Sequence, residues 1–215
     1  MILLAVIFVA IGIGLVRGGE LGYLGAVRLR QGWLGIMAFA VQTLTIWSPR
    51  SWAEGRPALH GAMFVGSYGL LLLFVALNYG LPGIRWVAVG LALNTVVMLV
   101  NGGFMPVAPS ALHGAGLAGL ALGSEAGSRI MGTKDALLPL TSTRLRMLSD
   151  VFVLRPPLAT VFSMGDILIG LGGFLFLQRA MLAHGGVARS AGGVTGARVP
   201  NRGGDLGSNR GGLYG

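Results

Sequence analysis

Carboxylate and amide side chains inside apolar stretches are the residues of this chain whose types could do chemistry. Asp166 lies near the start of the apolar run 163–182. A charged group is costly inside a bilayer, so an ionisable residue in such a run is a candidate functional group. Asn94 and Asn101 lie in another apolar run and share one helical face. They predict either hydrogen bonds that hold helices together or the lining of a polar cleft.

The sequence around Asp166 also fits a structural role. Ser163 and Asp166 have the spacing of a capping box, in which each side chain accepts a hydrogen bond from the backbone of the other. A carboxylate at this place also interacts favourably with the positive end of the helix dipole. The spacing favours capping, although a capping carboxylate can also face a binding site. Arg144 or Arg146 is the expected positively charged partner.

These residues predict a polar cluster where the fourth and fifth apolar runs meet the same side of a membrane. Asp150 adds a second carboxylate, so Asp150 and Asp166 would be the acid and the base of an enzyme that acts on a lipid headgroup. The candidate ligand-binding residues are Asn94, Asn101, Arg144, Arg146, Asp150, Ser163 and Asp166.

No catalytic residue, metal site or cofactor is assigned from the sequence. The chain has no cysteine, which excludes thiolate metal sites and disulfides. Its histidines, His60, His113 and His184, are too scattered to indicate a shared metal site. The sequence contains no nucleophile-elbow, zinc-protease or phosphate-loop motif. An enzyme is therefore the less favoured class.

The apolar runs that must position these residues predict an all-α integral membrane protein with about five transmembrane helices. Apolar residues make up 53% of the chain and charged residues only 11%, against about 25% in soluble domains. The mean hydropathy is +0.75. The predicted spans are residues 1–16, 32–48, 61–81, 86–104 and 163–182. A cleaved signal peptide is the alternative for residues 1–16, although no basic residue precedes that run.

Small residues predict which faces of these helices pack together, because they allow two backbones to approach closely. Gly90 lies on the same face as Asn94, and Gly165 and Gly172 lie two turns apart on the last helix. We expect these two faces to meet a stripe of small residues on the third helix. The stripe consists of Ala62, Gly66, Gly69, Ala76 and Gly80.

An outer segment, residues 105–162, connects the fourth and fifth spans and is expected to carry interfacial helices. Residues 111–123 are apolar but too short to span, which fits a re-entrant or an interfacial helix. Leu145, Leu148 and Phe152 recur at helical spacing and predict a second short surface helix.

The C-terminal tail, residues 184–215, is rich in glycine and arginine and is predicted to be disordered, whereas residues 1–183 form the membrane domain. Two Asn-Arg-Gly-Gly copies in the tail resemble RNA-binding repeats, but contact with anionic lipid headgroups is favoured over nucleic acid. Basic residues in the short loops are concentrated on the side that bears the tail. The positive-inside rule therefore places the N-terminus outside and the tail in the cytoplasm.

Three motifs can be compared with known families. They are Asn-Gly-Gly-Phe-Met-Pro-Val at 101–107, Leu-x-x-Leu-x-Asp at 145–150 and Ser-Met-Gly-Asp-Ile at 163–167. With Gln42 in the second span, they resemble domain-of-unknown-function family 5317, a family of small bacterial multi-pass membrane proteins. The resemblance covers about residues 1–183. It implies a protein of the bacterial cytoplasmic (inner) membrane and implies no reaction.

Three functions are consistent with these patterns. The favoured one is a non-catalytic accessory subunit or scaffold of a membrane complex, which would contact protein partners as well as the lipid bilayer. The second is a small transporter or lipid-binding protein with a polar cleft at its outer face. The third is an intramembrane enzyme acting on a lipid headgroup. A lipid-accessible cavity that converges on Asp166 would favour the second or the third function over the first.

Overall fold

The structure, a computed structural model, describes residues 2–120, 127–130, 133–139 and 141–183. Within these residues the chain is mostly helical. The helices are α1 (Ile2–Val16), α2 (Trp33–Ile46), α3 (Arg50–Gly55), α4 (Pro57–Leu77), α5 (Ile84–Val100), α6 (Pro109–Gly114) and α7 (Met164–Leu182). The strands are β1 (Met105–Val107), β2 (Asp135–Leu137), β3 (Phe152–Leu154) and β4 (Thr160–Phe162). The predicted disordered tail lies outside the described residues.

Two of the helices, α4 and α7, are long and apolar enough to cross a membrane. They contain 21 and 19 residues. Three more helices, α1, α2 and α5, are apolar but shorter, with 15, 14 and 17 residues. By length and composition, the structure therefore supports two candidate membrane spans.

The five long apolar helices pack side by side in the order α1, α7, α5, α4, α2. Helix α7 lies between α1 and α5, and α4 lies between α5 and α2. The helices α1 and α2 are thus the two ends of the row. The core between α4 and α5 is formed by large apolar side chains, among them Phe64, Tyr68 and Met98.

Glycine pairs bring α5 and the segment before it into close contact with α7. Gly83 packs on Gly172, and Gly90 packs on Gly165. The two contacts are seven residues, or about two helical turns, apart in each segment. A Cβ at Gly90 would meet the carbonyl oxygen of Gly165 and lie 2.8 Å from Cγ1 of Ile169. The expected meeting of the Gly90 face with the Gly165 and Gly172 face is therefore confirmed.

The small-residue stripe expected on the third predicted span lies along helix α4 and just beyond its end, and it points away from the neighbouring helices. All five of its residues are exposed, and added Cβ atoms at Gly66, Gly69 and Gly80 would meet nothing within 4 Å. Helix α4 instead buries His60, Phe64, Ser67 and Tyr68. Large side chains fill the space between helices better than glycines would, and this packing outweighs the close approach that the stripe allows.

Helix α4 also begins and ends about one turn earlier than the predicted third span, residues 61–81. Pro57 starts it, because proline lacks an N–H and its fixed φ suits the first helical position. Asn78 ends it: its Nδ2 donates to the carbonyl oxygen of Phe74 at 2.8 Å and to that of Arg30 at 2.9 Å. The N–H of Arg30 donates back to Asn78 Oδ1 at 2.8 Å.

Short strands in the outer segment correct the all-α expectation. Strand β1 pairs with β2 in parallel, and β3 pairs with β4 as an antiparallel hairpin in which the rings of Phe152 and Phe162 stack with centroids 5.5 Å apart. Each strand has only three residues. They depend on the helices beneath them, since isolated pairs of this length are not stable.

The predicted surface helix around Leu145, Leu148 and Phe152 is wrong. The chain forms only a 3-10 turn, Arg146–Leu148, and then extends into β3. Long-range pairing prevails here, because Phe152 pairs with β4 and the N–H of Asp150 donates to Pro106. In residues 111–123 the structure has the end of α6 and a 3-10 turn, Ala118–Leu120, and residues 121–123 are not described.

The glycine contact between α5 and α7 can be tested with matched alanine variants. Gly90→Ala should destabilise the protein by about 1–3 kcal/mol, the usual cost of overpacking, since its Cβ meets the backbone of α7. Gly66→Ala, at an exposed helical position, should be neutral or slightly stabilising because alanine favours helix. Thermal unfolding in mild detergent measures both. Equal melting temperatures for the two variants would contradict the close contact.

Candidate functional site

The end of α5 reverses the chain toward the outer segment. Gly102 and Gly103 both adopt positive φ, +81° and +93°. The N–H of Gly103 donates to the carbonyl oxygen of Met98 at 2.7 Å, as in a Schellman-type helix end. Gly103 also packs directly on Gly61 of α4, where a Cβ would clash with backbone. The Asn-Gly-Gly motif therefore needs glycine for both conformation and space, and it delivers the chain into β1.

Strand β1 then positions two charged residues on its two sides. On one side, the N–H of Met105 donates to the carbonyl oxygen of Lys134 at 3.1 Å. On the other side, the N–H of Asp150 donates to the carbonyl oxygen of Pro106 at 3.2 Å, and Asp150 forms an isolated parallel bridge with Val107. Residues far apart in the sequence are thus placed next to each other by the backbone of one short strand.

The ammonium of Lys134 lies between two carboxylates. Its Nζ is 3.1 Å from Asp150 Oδ2 and 3.3 Å from Asp135 Oδ1. Burial lowers the pKa of Lys134, but attraction by Asp150 and Asp135 outweighs burial, so the net pKa is raised well above its ordinary value. Lys134 therefore stays positively charged.

Asp150 is the most enclosed member of this group, with a side chain that is 2% exposed. Burial raises its pKa to about 8, because desolvation outweighs the attraction of Lys134. Its second oxygen, Oδ1, is buried and has no hydrogen-bond partner among the described residues. A buried polar atom without a partner carries a cost of about 1–3 kcal/mol, so this oxygen needs a proton or a donor from elsewhere.

Asp166 has a different environment. Its Oδ2 accepts from the N–H of Ser163 at 3.1 Å, and its own N–H donates to Ser163 Oγ at 3.0 Å, which forms the predicted capping box. Its Oδ1 accepts from Asn94 Nδ2 at 3.0 Å, and Ser163 Oγ donates to Asn94 Oδ1 at 2.9 Å. The three buried side chains therefore form a closed ring that locks the start of α7 to α5.

A cavity of about 630 Å³ joins these groups. Asp135, Asp150, Asp166 and Lys134 line it, together with the polar residues Gln42, Tyr68, Thr133 and Thr160. Most of the remaining lining is apolar and comes from every long helix of the bundle and from the outer segment. These residues are Ile2, Leu3, Leu4, Ile46, Phe64, Leu71, Leu91, Leu112, Leu117, Leu120, Ile130, Ala159, Val161 and Ile169. The cavity is therefore amphipathic, with a charged cluster at one part of an apolar wall.

The structure brings four of the predicted site residues together and separates three. Asp150 and Asp166 line the cavity, and Asn94 and Ser163 hold Asp166. The remaining three are Asn101, Arg144 and Arg146. The amide of Asn101 pairs in both directions with the backbone of Arg144, at 2.9 Å each, and its Nδ2 also donates to the carbonyl oxygen of Val97.

The prediction of an arginine as the positively charged partner of the carboxylates is also wrong. Arg144 and Arg146 are exposed, and Lys134 supplies the cation instead. Sequence reasoning missed Lys134 and Asp135. One signal was available: Lys134 is the only lysine of the chain, whose fifteen other basic residues are arginines. An ammonium on a flexible stem fits between two carboxylates where a planar guanidinium needs more room.

A second polar centre joins the outer segment to the end of α2. Arg129 donates to the carbonyl oxygens of Thr45 at 2.7 Å and Ile46 at 3.0 Å, where a cation is favoured by the helix dipole. Ser48 Oγ lies 2.7 Å from His60 Nε2. His60 Nδ1 is buried without a partner among the described residues, so nothing there orients the ring as a base. This centre therefore fixes the outer segment to the C-terminal end of α2.

In the part of the chain that the structure describes, no group of three or more histidine, cysteine, aspartate or glutamate side chains could hold a metal ion. Of the three aspartates of the cavity, Asp135 and Asp150 contact the ammonium of Lys134, and Asp166 accepts hydrogen bonds from Ser163 and Asn94. Lys134 is protonated and each oxygen of Asp166 accepts a hydrogen bond, so both groups are weaker nucleophiles and bases than free ones.

These features define a predominantly helical protein with two candidate membrane spans and an amphipathic cavity beneath a small outer segment. Residues 26–178 match a family described as "Family of unknown function (DUF5317)", and the chain belongs to this family. The match covers the cavity apart from the first residues of α1. No curated protein and no solved structure is significantly similar to the chain.

Exchanging the amide and the carboxylate of the Asn94–Asp166 pair tests the hydrogen-bonded ring. Asn94→Asp alone places two carboxylates where a 3.0 Å hydrogen bond was, and it should cost about 3 kcal/mol or more. Adding Asp166→Asn restores one donor between the positions and should recover most of that loss. Asp166→Asn alone should cost less than Asn94→Asp, because the amide of Asn94 can turn to meet it.

Thermal unfolding of the two single variants and the double variant gives the interaction energy. If the two substitutions were additive, the ring between α5 and α7 would not exist in solution.

Proposed function

We propose that this protein binds an amphipathic molecule, a lipid or a lipid-like compound, in the cavity beneath the outer segment. The observation that carries the proposal is the combination of a charged Lys134–Asp150 cluster with a wall of leucine, isoleucine and phenylalanine side chains in one cavity. An apolar chain would lie against the wall, and a polar headgroup would meet the cluster. The volume is within the range of about 300–1,000 Å³ typical of small-molecule sites.

The same observation favours binding over the other two functions considered from the sequence. A scaffold does not need a cavity with a charged, desolvated cluster. An enzyme acting through Asp150 and Asp166 would need both carboxylates free to exchange protons with a substrate, and Asp166 is occupied on both oxygens. The binding role, with transport as its extension, therefore accounts for more of the geometry.

We also propose that five helices span the membrane. Helices α1 and α2 contain no charged residue. Several large apolar side chains on the three shorter helices are 58% to 90% exposed, which suits contact with lipid. Examples are Phe8, Val16, Ile36, Phe39 and Leu99.

The shorter helices need a thin hydrocarbon layer. With 14 residues, α2 is about 21 Å long, against a hydrocarbon core of about 30 Å. Trp33 and Trp47 near its ends are 56% and 76% exposed, as expected of side chains at the two membrane interfaces. A locally thinned bilayer around α1 and α2 is consistent with these lengths.

Contacts of α1 support its role as a permanent span rather than a cleaved signal. Gln178 of α7 donates to the carbonyl oxygen of Ala10 at 2.6 Å and accepts from Arg17 at 2.9 Å. Gly14 packs on Met181. Removal of α1 would expose these polar groups of α7.

The cavity supports access from the side of the membrane. Its lining includes residues 2–4 of α1 and Gln42 and Ile46 of α2, the helices at the two ends of the row. Because residues of both α1 and α2 line the cavity, an opening between these two helices would lead an acyl chain from the bilayer to Lys134. An amphipathic molecule would thus enter without crossing water.

Topology can be tested with reporter fusions. The proposed arrangement places the N-terminus and the outer segment outside, and the loop 17–32 and the tail in the cytoplasm. Fusions after Arg30 and after Ala183 should both give a cytoplasmic signal. An extracytoplasmic signal after Ala183 would contradict the five-span arrangement.

The cavity can be tested by filling it. Leu71→Trp adds a large ring to the cavity wall and should reduce the lipid that co-purifies in mild detergent by about tenfold, a loss of about 1.4 kcal/mol. Leu73→Trp is the matched control, since Leu73 lies on the same helix, is 50% exposed and does not line the cavity. Mass spectrometry of the extracted lipid measures the change.

Equal lipid content in the wild type and both variants would contradict binding in the cavity. A stoichiometric protein that co-purifies equally with all three, without cavity-dependent lipid, would favour the accessory-subunit function instead.

A further inference from the structure

The charge balance of the cavity determines which polar headgroup it accepts. Its described lining contains three carboxylates and one ammonium, so the cluster is negative overall when all four groups are ionised. A phosphate or carboxylate headgroup would bring another negative charge into a site with an excess of the same sign, which is unfavourable. A positively charged headgroup would instead balance the cluster.

Among the buried carboxylate oxygens of the described cavity lining, Asp150 Oδ1 is the one without a hydrogen-bond partner. Asp150 Oδ2 and Asp135 Oδ1 are engaged by Lys134, and both oxygens of Asp166 accept from Ser163 and Asn94. Asp150 is also one of the residues that line the cavity. A hydrogen-bond donor in the cavity would remove the cost of this unpaired oxygen.

We infer that the cavity binds amphiphiles whose polar end is a protonated primary amine, and that Asp150 Oδ1 accepts a hydrogen bond from the ammonium. This inference rests on the proposed function, because it specifies the class of molecule in the same cavity. A primary ammonium has three donors on one small centre, so it can reach Oδ1 and still donate to other oxygens nearby. A charge-assisted hydrogen bond of this kind is about twice as strong as a neutral one.

Binding of the amine is coupled to release of a proton. Burial raises the pKa of Asp150 to about 8, so below that pH a proton competes with the amine for Asp150. The incoming ammonium takes the place of that proton, which leaves to solvent while Asp150 becomes a carboxylate. The charged and titratable groups that face Asp150 are Lys134, Asp135, Asp166 of α7 and Tyr68 of α4.

The pH dependence follows from this exchange. An alkylamine stays protonated well above neutral pH, because its pKa is close to that of the lysine side chain, about 10.4. Only the ionised form of Asp150 pairs with it. The affinity should therefore rise by about tenfold per pH unit below the pKa of Asp150 and level off above it.

A headgroup series on the full chain tests the inference. Dodecylamine, 1-dodecanol and dodecanoate share one alkyl chain and differ in charge, and their binding in a non-ionic detergent can be measured by native mass spectrometry. The amine should bind at least about tenfold more tightly than the alcohol, which corresponds to about 1.4 kcal/mol, and dodecanoate should bind most weakly. The affinity for the amine should rise between pH 6 and pH 8.

Asp150→Asn supplies the matched variant. It should remove the preference for the amine and its pH dependence, so that the amine and the alcohol bind with equal affinity, and a cooperative thermal unfolding transition would show that the variant is folded. Glu20→Gln, an exposed carboxylate that does not line the cavity, should change neither. If Asp150→Asn does not fold, the headgroup series and the pH profile of the wild type still decide the question.

Three results would overturn the inference. The first is equal binding of the amine and the alcohol, the second is an amine affinity that does not change between pH 6 and pH 8, and the third is a preference for the amine that persists in Asp150→Asn. In each case alcohol binding that is lost in Leu71→Trp would leave the proposed function intact. If none of the three compounds bound more tightly to the wild type than to Leu71→Trp, the proposed function would fail as well.

Discussion

The ammonium of Lys134, held between Asp135 and Asp150, is the interaction on which the outer segment depends. Burying a charge is costly unless it is paired, so the segment must bring the two carboxylates to Lys134 and keep them there. Strand β1 does this with backbone hydrogen bonds to Lys134 on one side and Asp150 on the other. The charge cluster and the strand pairing therefore stabilise each other, although each strand is too short to persist alone.

Two asparagines attach the loops to the helical bundle in the same way. Asn78 ends α4 and pairs with the backbone of Arg30, and Asn101 follows α5 and pairs with the backbone of Arg144. Each amide also donates to the carbonyl oxygen four residues before it. One side chain thus satisfies a helix end and fixes a distant loop, and the two arginine side chains take no part in the pairing.

The two carboxylates of the family-like motifs differ in role because they differ in environment. Asp166 accepts hydrogen bonds on both oxygens, so it serves as a fixed element that joins α7 to α5. Asp150 has one oxygen in an ion pair and one without a partner among the described residues, so it retains capacity for a proton or a ligand. Both residues line the cavity, and of the two only Asp150 has an oxygen without a partner among the described residues.

The sequence by itself determined the features that depend on local physics. Hydrophobic runs placed the five long apolar helices to within about one turn, the Ser163–Asp166 spacing predicted the capping box, and glycine spacing predicted the contact between the fourth and fifth apolar helices. The tertiary structure alone decided which charges meet. Lys134 and Asp150 are sixteen residues apart, in a segment without strong periodicity, and they become neighbours only because β1 pairs with both of their backbones. Helical spacing around Leu145 suggested a helix, but the hydrogen bonds that the chain makes with β1 and β4 outweigh local preference, and no pattern within the segment records that competition.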